Sequence, residues 1–230
     1  MKPARHWFQY SLRSFLILLT ALAVWLGVIV NRAREQREAV KAIEAGGGMV
    51  VYGWQECMPP APGEGPDGPV WLRRIVGDEF FQEVDGAWFD NATGDAFVAL
   101  ARLSSLKRAG FLSPYNGVRT GGIPRVEYSL HPEIADEHIQ PLSRIVTLEC
   151  LNLSGAAITD EGIKYLARLP RLHLLLLQGT NITRASIPIL QDCKELEVLD
   201  IGGTAIGDTR SVGELRKALP GTWVRGSTWH

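Results

Sequence analysis

One phrase is repeated three times between Leu148 and Leu219, with a period of 24 residues. It reads LECLNLSGAAITDEGIKYLARLPR, then LHLLLLQGTNITRASIPILQDCKE, then LEVLDIGGTAIGDTRSVGELRKAL. Leu148, Leu172 and Leu196 coincide, as do Leu151, Leu175 and Leu199, then Leu153, Leu177 and Ile201. Gly155, Gly179 and Gly203 follow, and then Ile158, Ile182 and Ile206. A fixed period of this length is the signature of a solenoid, in which each unit is one supersecondary element leaning on its neighbours.

Each unit divides into a strand and a helix. Leu151 and Leu153 are two residues apart, so they fall on one side of a strand. The glycine turns the chain. Thr159 is a helix cap, and Asp160 and Glu161 suit the positive helix end. Ile163, Leu166 and Leu169 form one helical face, and Pro170 ends it. No single unit buries enough apolar surface to order itself, so the units must stack. The expected fold is an α/β solenoid, a right-handed array of about five strand–helix units over 84–219 with a parallel concave sheet.

Weaker copies lie upstream. IADEHIQPLSRIVT (134–147) aligns with ITDEGIKYLARLPR without a gap, and Val126, Tyr128 and Leu130 are read as its strand. FVALARLSSLKRAGFL (97–112) carries Phe97, Leu100, Leu103, Leu106, Ala109 and Phe111. SPYNGVRTGG (113–122) reads as a loop in place of one helix, and 220–230 as a terminal cap, with Trp223 and Val224 where a further strand would begin.

The pattern L-x-x-L-x-L-x-G-[AT]-x-I resembles leucine-rich repeats of the ribonuclease-inhibitor-like type. The asparagine usual after the strand is missing. Ala156, Thr180 and Thr204 stand there, and a threonine hydroxyl can replace part of its bonding. The layout from the basic start through NRAREQREAVKAI, the glycine run and WLRRIVGDEFF also resembles bacterial single-pass membrane-anchored leucine-rich-repeat proteins. The resemblance implies that partners bind the concave strand face. That face would present Cys150, Asn152 and Ser154, then Leu174, Leu176 and Gln178, then Val198, Asp200 and Gly202. Leu174 and Leu176 are apolar residues at outward positions. They are either a binding patch or a pair covered by a loop.

The N-terminus is read as a basic tail (1–14) and a membrane anchor (15–31). FLILLTALAVWLGVIV is sixteen residues without a charge, flanked by Arg13 and Arg32 and preceded by Trp7, Phe8 and Tyr10. The rival is a cleaved signal peptide with ALA at 21–23 as its cutting site. Bulky residues continue past that site to Val30, which favours the anchor. Basic residues bracket the segment almost equally. An extracytoplasmic repeat domain is expected only because that is the usual fate of a single N-terminal anchor. Residues 32–48 read as a solvated juxtamembrane helix stopping at Gly46–Gly48. Residues 49–83 read as a lead-in strand, a Pro/Gly loop and an amphipathic helix that covers the open end of the array.

Composition narrows the function. Lys and Arg number 24 and Asp and Glu 25, a balance that argues against nucleic acid as a partner. Three cysteines, Cys57, Cys150 and Cys193, form neither a disulfide framework nor a zinc pattern and read as free thiols. HPEIADEH (131–138) gathers His131, Glu133, Asp136, Glu137 and His138, but Asp136 and Glu137 align with the helix-start acids Asp160 and Glu161. Asn91 and Asn181 begin glycosylation triplets of a kind common by chance. No nucleophile motif or phosphate loop occurs. The expectation is a non-enzymatic, membrane-tethered module that binds a protein, with no cofactor, metal or small-molecule substrate. A structural or self-associating spacer is the alternative, and an enzyme using 113–140 a third.

Overall fold

The structure is a computed structural model and describes residues 12–53, 65–66, 69–111 and 130–226. The first described element is one unbroken helix, α1 (Leu12–Ala45), followed by strand β1 (Gly48–Tyr52) and the short helix α2 (Val70–Val76). Then come β2 (Val84–Phe89), α3 (Gly94–Ala99), β3 (Arg108–Phe111), β4 (His131–Ala135) and α4 (Asp136–Ile139). The three clear repeats give β5 (Cys150–Asn152), β6 (Ala156–Ala157), α5 (Asp160–Leu166), β7 (Leu174–Leu176), α6 (Ser186–Leu190), β8 (Val198–Asp200) and α7 (Thr209–Ala218). Strand β9 (Trp223–Arg225) is the last element described.

Among the described residues, seven strands form one sheet in the order β1-β2-β3-β5-β7-β8-β9. β1 runs antiparallel to β2, and every later neighbour is parallel. The register is that of the repeat: Leu151 faces Leu175, which faces Leu199, which faces Val224. The array is an α/β solenoid of five strand–helix units, β2–α3 through β8–α7. The repeated apolar positions fill one continuous core, and Leu148, Leu151, Leu153, Ile158, Ile163 and Leu166 are all fully buried. The glycine repeated in each unit is explained by its backbone. Gly155, Gly179 and Gly203 have φ of 78°, 65° and 72°, a left-handed turn that a Cβ would strain.

Local signals act where the residues place them. The Thr159 hydroxyl accepts from the Glu161 amide at 3.3 Å and caps α5. Thr180 and Thr204 each donate their hydroxyl to the carbonyl three residues back, at 2.8 and 2.7 Å. They thus supply part of the bonding expected of the missing asparagine.

Three expectations are corrected. First, Leu130, read as part of the second unit's strand, belongs to no strand. It is 73% exposed, and Val126 and Tyr128 lie outside the described residues. β3 pairs directly with β5 instead, Arg108 opposite Cys150, so β3 serves that unit. The loop proposed at 113–122 also lies outside the described residues. Second, the helix read as a solvated juxtamembrane stalk is packed on the array. Ala33, Gln36, Ala39 and Ile43, spaced three or four apart, are buried against the first unit. Gln36 Nε2 donates to the Gln82 carbonyl at 2.9 Å, and Arg32 pairs with Glu83 at 3.1 Å. Third, the helix read as the end cover, α2, leaves Trp71 65% and Ile75 73% exposed. The end of the core is closed by the second half of α1 and by β1.

Candidate binding face

Alternation along the strands sorts the sheet into three rows. The middle row, Ala87, Ala109, Leu151, Leu175, Leu199 and Val224, points into the core and is fully buried. The two flanking rows point to the concave side. One runs Gly86, Arg108, Cys150, Leu174, Val198, Trp223. The other runs Trp88, Gly110, Asn152, Leu176, Asp200, Arg225.

The structure divides the residues expected on this face into two sets. Cys150, Leu174, Leu176 and Val198 are half-buried and reachable, and Trp223 extends their row at 49% exposure. Leu174 and Val198 sit opposite each other on adjacent strands, with Cys150 and Trp223 at either side. This is an apolar strip about four strands wide, roughly 15 Å at the usual strand spacing. Arg108, exposed, continues the same row beyond Cys150.

Asn152, Ser154, Gln178 and Asp200 are buried and bonded within the protein. Asn152 donates to the Phe111 carbonyl at 3.0 Å and accepts from the Ser154 amide at 3.0 Å. Asp200 is fully buried. It accepts from the Gly202 amide at 3.0 Å, from the Gln178 amide group, and forms an ion pair with Arg225 at 3.2 Å. These polar groups join neighbouring units across the sheet. Their lone pairs and donors are spent internally, which is what lets them be buried.

A charged cluster occupies the N-terminal end. Asp85 meets Lys107 at 3.0 Å and is hydrogen-bonded by Arg108. Burial opposes ionisation of Asp85, but the bonds from Lys107 and Arg108 outweigh it and hold its pKa below the ordinary value. The thiol of Cys150 is pushed up, first by burial and then by Glu149. Cys193 lies in the core among the helices, and burial raises its thiol to about 11. Both are free, and Cys57 lies outside the described residues.

The 131–138 cluster is held by local structure. Asp136 accepts from the backbone amide of Thr159 at 2.9 Å and from its hydroxyl, binding the second unit to the third. His138 Nδ1 accepts from the Ala135 amide at 3.1 Å at the start of α4. His131 is buried and stacked on Phe111, ring centroids 3.6 Å apart, and burial lowers its pKa. Asp136 and His138 thus spend their polar atoms on the turns that start α4 and α5. The segment's other half, 113–129, lies outside the described residues.

Sequence reasoning missed Trp88, Arg108 and Arg225 as members of the concave rows. A signal existed for Arg108: placing Ala109 inward sends its neighbours outward by alternation.

Residues 146–167 match the family model for a leucine-rich repeat. A search of curated proteins finds no match. Among solved structures, the chain is similar to a leucine-rich-repeat protein of Leptospira interrogans, with 19% identity, TM-score 0.34, and coverage of 55% of this chain and 33% of that one. It is also similar to a chain of the PEPR1–AtPEP1 complex, with 18% identity, TM-score 0.34, and coverage of 56% of this chain and 17% of that one. A third is an internalin of Listeria monocytogenes, with 15% identity, TM-score 0.32, and coverage of 58% and 44%. The chain therefore spans less than half the length of each of these proteins.

Proposed function

From an array of leucine-rich repeats, we propose that this chain is a membrane-tethered, non-enzymatic module that binds a protein partner on its concave face. The observation that carries this reading is the apolar strip Cys150–Leu174–Val198–Trp223, with Leu176 beside it, held in register on one rigid sheet. Partly exposed apolar side chains on such a surface favour association. The row ends in Trp223 and contains Arg108 further along, and these are residue types that anchor protein interfaces. The membrane reading rests on the first half of α1. Phe15, Leu16, Ile17, Leu18, Leu19 and Leu22 are all at least half exposed to solvent, a surface suited to lipid.

The test is a photoreactive residue in place of Trp223 in the full chain, illuminated in intact cells. The expected result is one discrete cross-linked protein, reduced about tenfold by Leu174→Arg, which equals about 1.4 kcal/mol of binding. A cross-link pattern the same as from a probe at the exposed Arg216 on α7 would remove this reading. A second reading, a self-associating spacer, is favoured by the burial of Asn152, Gln178 and Asp200, which devotes half the face to holding the units together. It predicts that the cross-linked species is a second copy of this chain. Protease digestion of intact cells reports which side of the membrane carries the array.

A further inference from the structure

We propose that α2 is a second membrane contact: a short helix that lies in the lipid headgroup layer beside the anchor and fixes the tilt of the array over the bilayer. This rests on the reading of α1 as a membrane anchor.

Helix α2 carries apolar side chains that stand exposed. Val70, Trp71 and Ile75 are 55%, 65% and 73% exposed. Trp71 and Ile75 are four residues apart and share one helix face. A water-soluble cap would not spend a tryptophan and an isoleucine this way. The same helix has Arg74, exposed, in its last turn, while Arg73 beside it pairs with Asp78 at 3.6 Å within the protein. Tryptophan next to arginine on a short helix is the composition of a membrane interface, where the indole ring sits at headgroup level and the cation meets anionic lipid.

Position supports the chemistry. The segment that follows α2 is fastened to α1 just past its apolar half, through Arg32–Glu83 at 3.1 Å and Gln36 to the Gln82 carbonyl at 2.9 Å. Arg37 of α1 lines one open cleft together with Val70, Arg73, Arg74, Gly77 and Asp78. Arg37 is seven residues beyond Val30, so α2 stands about 10 Å along the helix axis from the end of the apolar stretch. The headgroup layer extends roughly 5–8 Å beyond the hydrocarbon on each side. The long side chains of Trp71 and Arg74 bridge the remainder. Because α1 is one unbroken helix whose second half is the solenoid cap, the array cannot swing freely about a linker. A second contact at α2 therefore sets a fixed angle for the concave face.

The experiment compares the native chain with Trp71→Phe in vesicles of mixed zwitterionic and anionic phospholipids. Some vesicles carry bromine near the top of the acyl chain. The exposed position of residue 71 leaves the fold intact. The native-minus-variant emission isolates Trp71 from the other tryptophans. The expected result is that brominated lipid reduces this difference signal at least twofold, while acrylamide in the water phase barely affects it. A difference signal untouched by bromine and freely quenched by acrylamide overturns the proposal. Alkaline extraction of the same vesicles separates the two readings. If the chain is retained and Trp71 is water-exposed, the α2 contact fails alone; if the chain is released, the anchor fails and takes the α2 contact with it.

Discussion

At the scale of single residues, the tightest constraint is Gly110. It has φ of 135°, and a Cβ placed on it would lie 2.1 Å from the backbone oxygen of Asn152. Nothing flexible can move aside, because the obstacle is the neighbouring strand. Gly110→Ala is expected to cost roughly 2–5 kcal/mol, combining backbone strain with overpacking. Urea unfolding of the purified chain measures it, and a shift under about 0.5 kcal/mol would contradict the β3–β5 pairing. The sequence offered no reason to single out this glycine. Its φ and its close neighbour exist only because a strand 41 residues away, tied by Asn152 to Phe111, pairs with its own. The repeat glycines were legible, because three copies in one register point to one backbone shape.

At the scale of elements, the units are stitched by acids at helix starts. Asp160 accepts from the Thr183 amide at 2.8 Å and hydroxyl at 2.6 Å, and from the Ser186 hydroxyl. Asp136 does the same for Thr159 one unit earlier. At the next position the role passes to Arg184, whose guanidinium reaches Ser211 at 3.2 Å and Glu214 at 2.6 Å. Burial opposes ionisation of Asp160, but the hydrogen bonds from Ser186 and Thr183 prevail and its pKa lies below the ordinary value. A carboxylate with a lowered folded-state pKa stabilises fully above the unfolded pKa near ~4, and its contribution fades as pH falls through the folded value. Asp160→Asn is therefore expected to cost about 1 kcal/mol at pH 7. Native and variant should converge below pH ~4. Parallel urea titrations at pH 7 and pH 3 check this, and an equal gap at both would show that charge plays no part. Sequence alone marked these acids as helix-start residues. It could not show that each reaches the following unit.

At the scale of the molecule, the open question for any solenoid is what covers its ends. Here the N-terminal end is closed by the same helix that presents an apolar surface at its other half. Ile43 and Ala39 are fully buried against the first unit. Ile43→Ala should destabilise the whole array by about 2–5 kcal/mol, the usual cost of truncating a core isoleucine. Denaturation of the full chain in nanodiscs, followed by the emission of its tryptophans, reports it. No change would return residues 32–45 to the role of a free stalk.

The sequence by itself determined the period, the register, the inward leucines, the glycine turns and the cap at Thr159. Each of these depends on sterics and hydrogen bonds within a few residues, or on a pattern repeated often enough to be read. The tertiary structure alone decided which outward residues are surface. It buried Asp200 by supplying Arg225 from β9 and Gln178 from the turn after β7, and left Leu174 and Val198 half open. It also decided which strand serves the second unit and which helix caps the end. Those outcomes turn on contacts between segments far apart in the chain, such as Gln36 with Gln82, 46 residues on. Local pattern holds no record of such a partner, because the free energy of burial depends on what arrives at the other side.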